Sequence, residues 1–171
     1  MLGNLGRSGS GKTTQIAALI VGLRARGLRV STVKHTHHGV DLDRPGKDSW
    51  LHREAGAHEV LLAGQARWAL LHERRDAPPA GLEELLARLE PVDLVLVEGF
   101  ARYPCPRLEV QRSAIACLPG KRPLWLDDPG IEAVASDLPV ENCDRVGLPL
   151  DETQTICDWM VTRFDLFDHL A

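Results

Sequence analysis

The 171-residue sequence has no apolar run that approaches the roughly 20 residues needed to span a bilayer, so no membrane segment is expected. The N-terminus lacks a basic stretch followed by an apolar one, which predicts a cytoplasmic location. Four cysteines are present without any CxxC pair, and this spacing argues against a zinc knuckle or a redox dithiol. The net charge of −4 argues against a protein that is held to nucleic acid by bulk charge.

Lysine is scarce as well. Of the 20 basic residues only four are lysines, at Lys12, Lys34, Lys47 and Lys121. Arginine therefore supplies nearly all of the positive charge, and the few lysines are expected where a compact point charge is needed in place of a planar guanidinium.

The alternation of short apolar runs with helical periods predicts one α/β domain over residues 1–171. Apolar residues from Ile16 to Leu23 recur with the period of a helix, and Leu28–Lys34 predicts the strand that follows it. The unbroken apolar run Asp93–Val97 is typical of a parallel strand that is covered on both faces. Apolar runs on either side of Gly64-Gln65 predict a β-hairpin. Further strands are predicted at Leu108–Val110, Leu124–Leu126 and Ala133–Ala135.

Residues 6–13 (GRSGSGKT) match the phosphate-loop pattern G-x-x-x-x-G-K-[ST] in full. In a P-loop NTPase this loop joins a strand to a helix, and backbone N–H groups at the helix N-terminus hold the nucleotide phosphates. Lys12 is expected to reach the β- and γ-phosphates as a catalytic residue, and Thr13 to place its hydroxyl on Mg²⁺. The predicted nucleotide-binding residues of the loop are Gly6, Gly9, Ser10, Gly11, Lys12, Thr13 and Thr14. The predicted fold is a three-layer P-loop NTPase domain with a mostly parallel sheet plus a β-hairpin extension.

A carboxylate at the end of a neighbouring strand would complete a metal site beside this loop. Glu98 ends the apolar run that begins at Asp93, and open α/β sheets bind ligands at the carboxyl ends of their strands. Asp93 starts the same strand and should lie roughly 16 Å away, at about 3.3 Å per residue. We therefore assign the metal role to Glu98 and a capping or surface role to Asp93.

The segment after Lys34 is rich in histidine, aspartate and lysine. Its polar residues include His35, His37, His38, Asp41, Asp43 and Lys47. One interpretation is a loop over the γ-phosphate, in which Asp43 or Asp41 acts on the metal ion or an attacking water while Lys34 and Lys47 contact anions. Imidazoles and carboxylates are also common metal ligands, so metal delivery stays open, as does a merely solvated loop.

Seven short stretches occur in this chain in a characteristic order. They are residues 9–14 (GSGKTT), 34–38 (KHTHH), 43–49 (DRPGKDS), 54–57 (EAGA), 93–100 (DLVLVEGF), 106–112 (PRLEVQR) and 133–137 (AVASD). In these stretches, and over nearly its whole length, the chain resembles the MobB family, molybdopterin-guanine dinucleotide biosynthesis protein B. The phosphate loop is common to a vast superfamily, whereas KHTHH, DRPGKDS and VEGF are much narrower and carry the resemblance.

The resemblance implies a GTP-binding accessory protein, usually a homodimer. Such a protein assists the attachment of GMP to molybdopterin, and a separate guanylyltransferase, MobA, performs that chemistry. The expected ligands are GTP with Mg²⁺, together with molybdopterin or its molybdenum form. Slow GTP hydrolysis is expected in the absence of a partner.

Two features depart from the family pattern. Leu2-Gly3-Asn4 replaces the β-branched residues that usually enter the phosphate loop, so either the chain begins further upstream or this edge of the sheet is loosely held. Arg7 stands where an uncharged residue is usual. In a related dimeric NTPase subclass, a lysine at this offset reaches across to the partner's phosphates. Arg7 is therefore a candidate arginine finger that acts in trans.

The residues that read guanine are not marked by an NKxD motif. Asp137 follows the strand predicted at Ala133–Ala135, where a carboxylate could accept hydrogen bonds from guanine N1–H and N2–H₂; the alternative role is a helix cap. Arg112 could meet a pterin phosphate or the nucleotide, or lie on the surface of an edge strand. Both residues are included in the predicted site.

Three functional classes remain open from the sequence. The first is an accessory GTPase that serves a transferase, as the resemblance implies. The second is a metallochaperone GTPase that loads nickel or another ion through His35, His37 and His38, although a long histidine tract is lacking. The third is a small-molecule kinase in which basic residues such as Arg112 orient an acceptor, although an arginine-rich lid is lacking.

Overall fold

The computed structural model describes residues 1–36, 39–40, 42–116, 118, 120–140 and 142–167. Its elements, in chain order, are β1 Leu2–Leu5, α1 Lys12–Arg24, β2 Val30–Lys34, α2 Asp48–Glu54, β3 Glu59–Ala63, β4 Trp68–His72, α3 Leu82–Leu86, β5 Leu94–Glu98, β6 Arg107–Gln111, α4 Ser113–Ala116, a 3₁₀ helix Leu124–Leu126, β7 Ile131–Ser136, β8 Val146–Pro149 and α5 Thr153–Arg163. They form two compact units, one of residues 1–35 with 82–171 and one of residues 36–81. Within the described ranges, no helix has the length and apolar character that crossing a membrane requires.

The first unit is built on a parallel sheet. Among its described residues, six strands run in the order β2-β5-β1-β6-β7-β8. All of their pairings are parallel, so the carboxyl ends of the strands meet at one edge. The loops that follow β1, β5, β6 and β7 therefore share the edge at which open α/β sheets bind their ligands. This architecture confirms the predicted α/β class with a mostly parallel sheet.

Helices α1 and α5 cover one face of the sheet. Ile16, Leu19 and Leu23 of α1 are buried with Ile156 and Met160 of α5, and all five pack against leucines of β1, β5 and β6. Residues separated by three or seven positions lie on the same side of a helix, so the apolar period in the sequence produces one continuous buried stripe.

A smaller apolar cluster lies apart from this core. It joins Leu5, Ile131 and Val134 to partly buried residues of the 3₁₀ helix. The strand predicted at Leu124–Leu126 is wrong, because the buried carboxylate of Glu109 accepts the N–H groups of Leu124 and Trp125 at 3.0 and 2.9 Å. These two donors are therefore unavailable to a neighbouring strand. The strands predicted at 108–110 and 133–135 are confirmed as parts of β6 and β7.

The expectation that the sheet is loosely held at its first strand is wrong. β1 lies between β5 and β6, and all four of its residues are buried. The Gly3 N–H donates to the carbonyl of Pro106 at 2.9 Å, in addition to the ladder bonds on both sides. The strand is secured by its central position, which compensates for its lack of β-branched residues.

The second unit contains the predicted β-hairpin and the helix α2. β3 and β4 pair antiparallel, with Val60 opposite Leu71 and Ala63 opposite Trp68. Val60 and Leu71 are each only 8% exposed, so one face of the hairpin is covered. The hairpin extension predicted around residues 64–65 is thereby confirmed.

Candidate nucleotide-binding site

The phosphate loop joins β1 to α1 in a backbone conformation that its glycines allow. Ser10 N–H donates to the Arg7 carbonyl at 3.1 Å, and Gly11, in the left-handed conformation at φ 89°, begins α1. Within the described parts of the chain no side chain caps this helix, so its first N–H groups lack the partners that a capping side chain would provide. Lys12 Nζ donates to the same Arg7 carbonyl at 3.0 Å and lies folded over the loop. Such a loop can hold an anion through backbone donors and one ammonium group.

Thr13 and Glu98 meet beside this loop, as the sequence predicted. The Thr13 hydroxyl lies 3.4 Å from both carboxylate oxygens of Glu98, and Lys34 Nζ lies 3.3 Å from one of them. The strand register explains the contact between Lys34 and Glu98, since Lys34 on β2 is the strand partner of Glu98 on β5. A hydroxyl and a carboxylate are oxygen donors of the kind that hydrated Mg²⁺ prefers, so the residues fit that ion. Asp93, which directly precedes β5, accepts the Arg29 N–H at 2.6 Å, a contact that fits the capping alternative for this residue.

Asn4 belongs to this part of the site, although sequence reasoning missed it. It is the β1 partner of Glu98 in register and is only 2% exposed. Within the described part of the chain, neither its amide oxygen nor its amide nitrogen has a hydrogen-bond partner. Buried amides are nearly always paired, because leaving one unpaired costs about 1–3 kcal/mol. The signal in the sequence was a polar residue in the middle of an otherwise apolar first strand.

Arg7 is held within its own chain. Its Nη2 donates to the carbonyl of Arg122 at 2.7 Å, just before the 3₁₀ helix. The guanidinium also acts electrostatically on Glu109, whose carboxylate lies beneath the same helix. The proposed role in trans would require Arg7 to leave the Arg122 carbonyl, and it stays a prediction.

Arg112 and Asp137 lie at neighbouring strand ends beside the loop. A Cβ placed on Gly11 would come within 3.1 Å of Arg112 Nε, so the guanidinium rests against the start of α1. Asp137 accepts the Ser113 N–H at 2.7 Å and the Ser113 hydroxyl at 3.2 Å. Both of its oxygens are thus used by the residue that follows Arg112. This geometry is that of a helix cap, which was the alternative role for Asp137.

The histidine and aspartate segment is divided between the two units. His35 belongs to the first unit, where it is the last residue of the range 1–35. Its N–H donates to the Glu98 carbonyl at 2.8 Å, and the centre of its ring lies 4.8 Å from that of the Phe100 ring. His37, His38 and Asp41 lie outside the described residues. Among the residues that are described, no group of three His, Cys, Asp or Glu side chains is placed to hold a metal ion.

Asp43 and Lys47 belong to the second unit, where Asp43 is engaged in an ion pair. Its carboxylate lies 3.1 Å from Arg53 Nε and is only 3% exposed, and Arg53 Nη1 binds Glu73 at 3.0 Å. Lys47 stands just before α2 and is exposed. Arg53 was missed by sequence reasoning, because a partner ten residues away on a helix leaves no local pattern. A catalytic role for Asp43 stays a prediction and would require this pair to open.

The carboxyl group of the buried Glu109 has a raised pKa. Burial raises the pKa of this carboxyl above its usual range, and the N–H groups of Leu124 and Trp125, with the charge of Arg7, offset only part of that effect. Between the unfolded and the folded pKa, the folded protein keeps a proton that the unfolded chain has lost. By linkage, the free energy of unfolding therefore falls as pH rises through that interval.

Replacing Glu109 by glutamine should remove this contribution to the pH dependence. The difference in unfolding free energy between the two proteins should change as the pH rises above the ordinary pKa of a glutamate carboxyl, with wild type gaining relative stability toward low pH. Urea unfolding at a series of pH values measures that difference. The exposed Glu90→Gln serves as the control and should give a difference of much smaller slope. A pH-independent difference for Glu109→Gln would contradict the assignment.

The parallel sheet, the complete phosphate loop after its central strand and the Thr13–Glu98 pair define the class of a P-loop nucleotide-binding α/β protein. Comparison with known proteins then gives the family. The family model "Molybdopterin guanine dinucleotide synthesis protein B" matches residues 1–137. The chain belongs to this family, MobB.

Relatives and solved structures agree with this assignment. The chain is 40% identical over 162 residues to the molybdopterin-guanine dinucleotide biosynthesis adapter protein of Haemophilus influenzae, covering 94% of this chain and 86% of that one. It is 41% identical over 157 residues to the protein of the same name from Escherichia coli, covering 90% and 87%. A crystal structure of molybdopterin-guanine biosynthesis protein B superposes with a TM-score of 0.73 at 27% identity, over 95% of this chain and 98% of that one.

Proposed function

We propose that this protein binds Mg·GTP and acts as an adapter in molybdenum cofactor biosynthesis, where it assists the attachment of GMP to molybdopterin by a separate guanylyltransferase. The observation that carries the proposal is the complete phosphate loop with Thr13 and Glu98 converging beside it, in a chain of the MobB family. The relatives from Haemophilus influenzae and Escherichia coli bear the name of adapter proteins in this synthesis.

Each part of the loop has a place in this proposal. Backbone N–H groups from Gly9 to Thr14 surround the phosphates, and Lys12 turns from the Arg7 carbonyl to the β- and γ-phosphates. Thr13 and Glu98 would hold Mg²⁺, and the ion would supply positive charge that offsets the charge of the phosphates. Lys34, already 3.3 Å from Glu98, adds a second ammonium at the same end of the site.

The proposal is tested by titration and by reconstitution. Calorimetric titration should give tighter binding of GTP than of ATP, with Mg²⁺ required for full affinity. A purified guanylyltransferase with molybdopterin and Mg·GTP should form more dinucleotide when this protein is added. A preference for ATP, with its phosphate passed to a small acceptor, would overturn the proposal in favour of a kinase.

Asp137 contributes to this site by positioning Arg112 through Ser113. Since both carboxylate oxygens accept from Ser113, Asp137→Asn should loosen Arg112 over the loop and weaken GTP binding by about threefold to tenfold. It should not confer binding of XTP. A carboxylate that reads guanine behaves differently, because its asparagine variant donates to the 2-oxo group of xanthine and gains affinity for XTP. Competition titrations of both nucleotides decide the matter, with Asp144→Asn as the exposed control.

The hairpin of the second unit supports a homodimer. Leu61, Leu70 and Trp68 lie on one face of the two-stranded sheet and are 62, 40 and 64% exposed. Among the described residues no further strand pairs with β3 or β4, and an isolated hairpin is marginally stable in water. We therefore assign this face to contact with a second copy of the chain.

Trp68→Glu should shift the protein from dimer to monomer, because it places a charge in the centre of that apolar contact. Sedimentation velocity at several protein concentrations measures the shift. Val21→Glu changes an apolar side chain that is 71% exposed on α1 and should leave the dimer intact. Equal behaviour of the two variants would contradict the assignment of the hairpin face.

A further inference from the structure

A cavity of about 340 Å³ opens beside the phosphate loop in the first unit. Gly6 and Lys12 form its wall on the side of the loop, and Gly99 and Ala101 form a second wall after β5. Leu124 of the 3₁₀ helix and Asp127, which follows that helix, also line the cavity. Sites for small molecules begin at about 300 Å³, so the space is large enough for one bicyclic heterocycle.

The cavity adjoins the end of the site where the terminal phosphates of a nucleotide belong. Lys12 is the residue of a phosphate loop that reaches the β- and γ-phosphates. Gly99 directly follows Glu98, which lies beside Thr13. A molecule in the cavity would therefore lie beyond the γ-phosphate, with an ammonium group at one end to receive an anionic substituent.

The lining of the cavity also offers an exchangeable carboxylate, that of Asp127. Asp128 is fully engaged, because its oxygens accept from Arg107 Nη1 at 2.8 and 3.0 Å and from the Gly130 N–H at 2.9 Å. Among the described residues, Asp127 instead forms only an exposed ion pair, 3.2 Å from Arg122, in which both side chains are more than 60% exposed. Exposed pairs contribute little free energy, so a ligand can replace Arg122 as the partner of Asp127.

We propose that this cavity holds the ring of an anionic pterin, with Asp127 accepting hydrogen bonds from its 2-amino and N3–H groups and Lys12 facing its acidic substituent. The apolar side chains of Leu5 and Leu124 and the Cβ of Ala101 offer contacts for a flat ring. This inference rests on the proposed function, since it places the pterin substrate of that reaction next to the bound nucleotide. A hydrogen bond to a carboxylate is stronger than one to a neutral acceptor, so Asp127 should contribute strongly to the affinity for the ring.

Pterin fluorescence provides the test, with 6-carboxypterin as an anionic probe and the full-length protein. The probe should bind wild type saturably. Asp127→Asn should raise the Kd of the probe about tenfold. Ala101→Leu, whose larger side chain fills part of the cavity, should raise the Kd by a similar factor. Asp144→Asn, an exposed carboxylate outside the cavity, is the matched control and should leave the Kd unchanged. All three variants should bind Mg·GTP as wild type does.

The outcomes separate this inference from the proposed function. GTP binding without any pterin binding overturns the inference and leaves the nucleotide site intact, whereas loss of specific GTP binding in wild type overturns the proposed function itself. Guanosine that displaces the probe with equal affinity overturns the assignment to a pterin, because guanine carries the same hydrogen-bonding edge. An unchanged Kd in both Asp127→Asn and Ala101→Leu overturns the placement in this cavity.

Discussion

Replacing Lys12 by alanine should weaken Mg·GTP binding by about 100-fold or more, because truncating one member of a desolvated charge pair costs about 2–5 kcal/mol. In this structure the Lys12 ammonium is folded over the loop, where it donates to the Arg7 carbonyl. The loss of that bond should cost little stability by comparison. Calorimetric titration with GTP, together with thermal unfolding of the free protein, separates the two effects.

Two further variants make the Lys12 prediction specific. Lys121 is exposed in a turn, so Lys121→Ala removes the same charge from the chain and should leave the GTP affinity nearly unchanged. Lys12→Arg keeps the charge but replaces a compact ammonium by a wide planar fork, and it should fail to restore binding. Full activity of the arginine variant would contradict the idea that this arginine-rich chain keeps lysine where arginine does not fit.

The local parts of the site could be predicted from the sequence because their geometry is encoded locally. The turn from β1 into α1 needs glycines and a lysine at fixed spacing, and the motif GRSGSGKT contains all of them. Glu98 could be predicted because an unbroken apolar run ends on it, and parallel strands bring their carboxyl ends to one edge. The Thr13–Glu98 contact spans 85 residues of sequence but needs only these two local signals.

Contacts between distant polar residues were not predictable in the same way. The apolar pattern of Leu124–Leu126 predicts a strand, but this segment forms a 3₁₀ helix in which two backbone N–H groups donate to Glu109. Asp137 takes both of its hydrogen bonds from Ser113, which lies 24 residues earlier in the chain. In each case one carboxylate, buried in Glu109 and partly buried in Asp137, takes donors that are distant in the sequence, because an acceptor removed from water must find donors wherever the fold provides them.

The second large effect is expected from Gly6→Ala, which should abolish nucleotide binding and lower the melting temperature. A Cβ on Gly6 would lie 2.5 Å from Ser10 Oγ and 2.6 Å from the Val110 carbonyl oxygen. The second of these is backbone of the neighbouring β6, which is held on both sides by the sheet, so the phosphate loop must move away instead. Overpacking of this kind costs about 1–3 kcal/mol.

The resulting displacement of the loop is the reason for the functional loss. The N–H groups proposed to surround the phosphates lie from Gly9 to Thr14, and they bind an anion only when they point to a common centre. For a chain of this length, 1 kcal/mol corresponds to about 2–4 °C in melting temperature, so a cost of about 1–3 kcal/mol predicts a fall of roughly 2–12 °C. Gly147→Ala is the control, because a Cβ there meets no atom within 4 Å, and it should change neither property. Retention of GTP binding by Gly6→Ala would show that the loop can shift without losing its phosphate contacts.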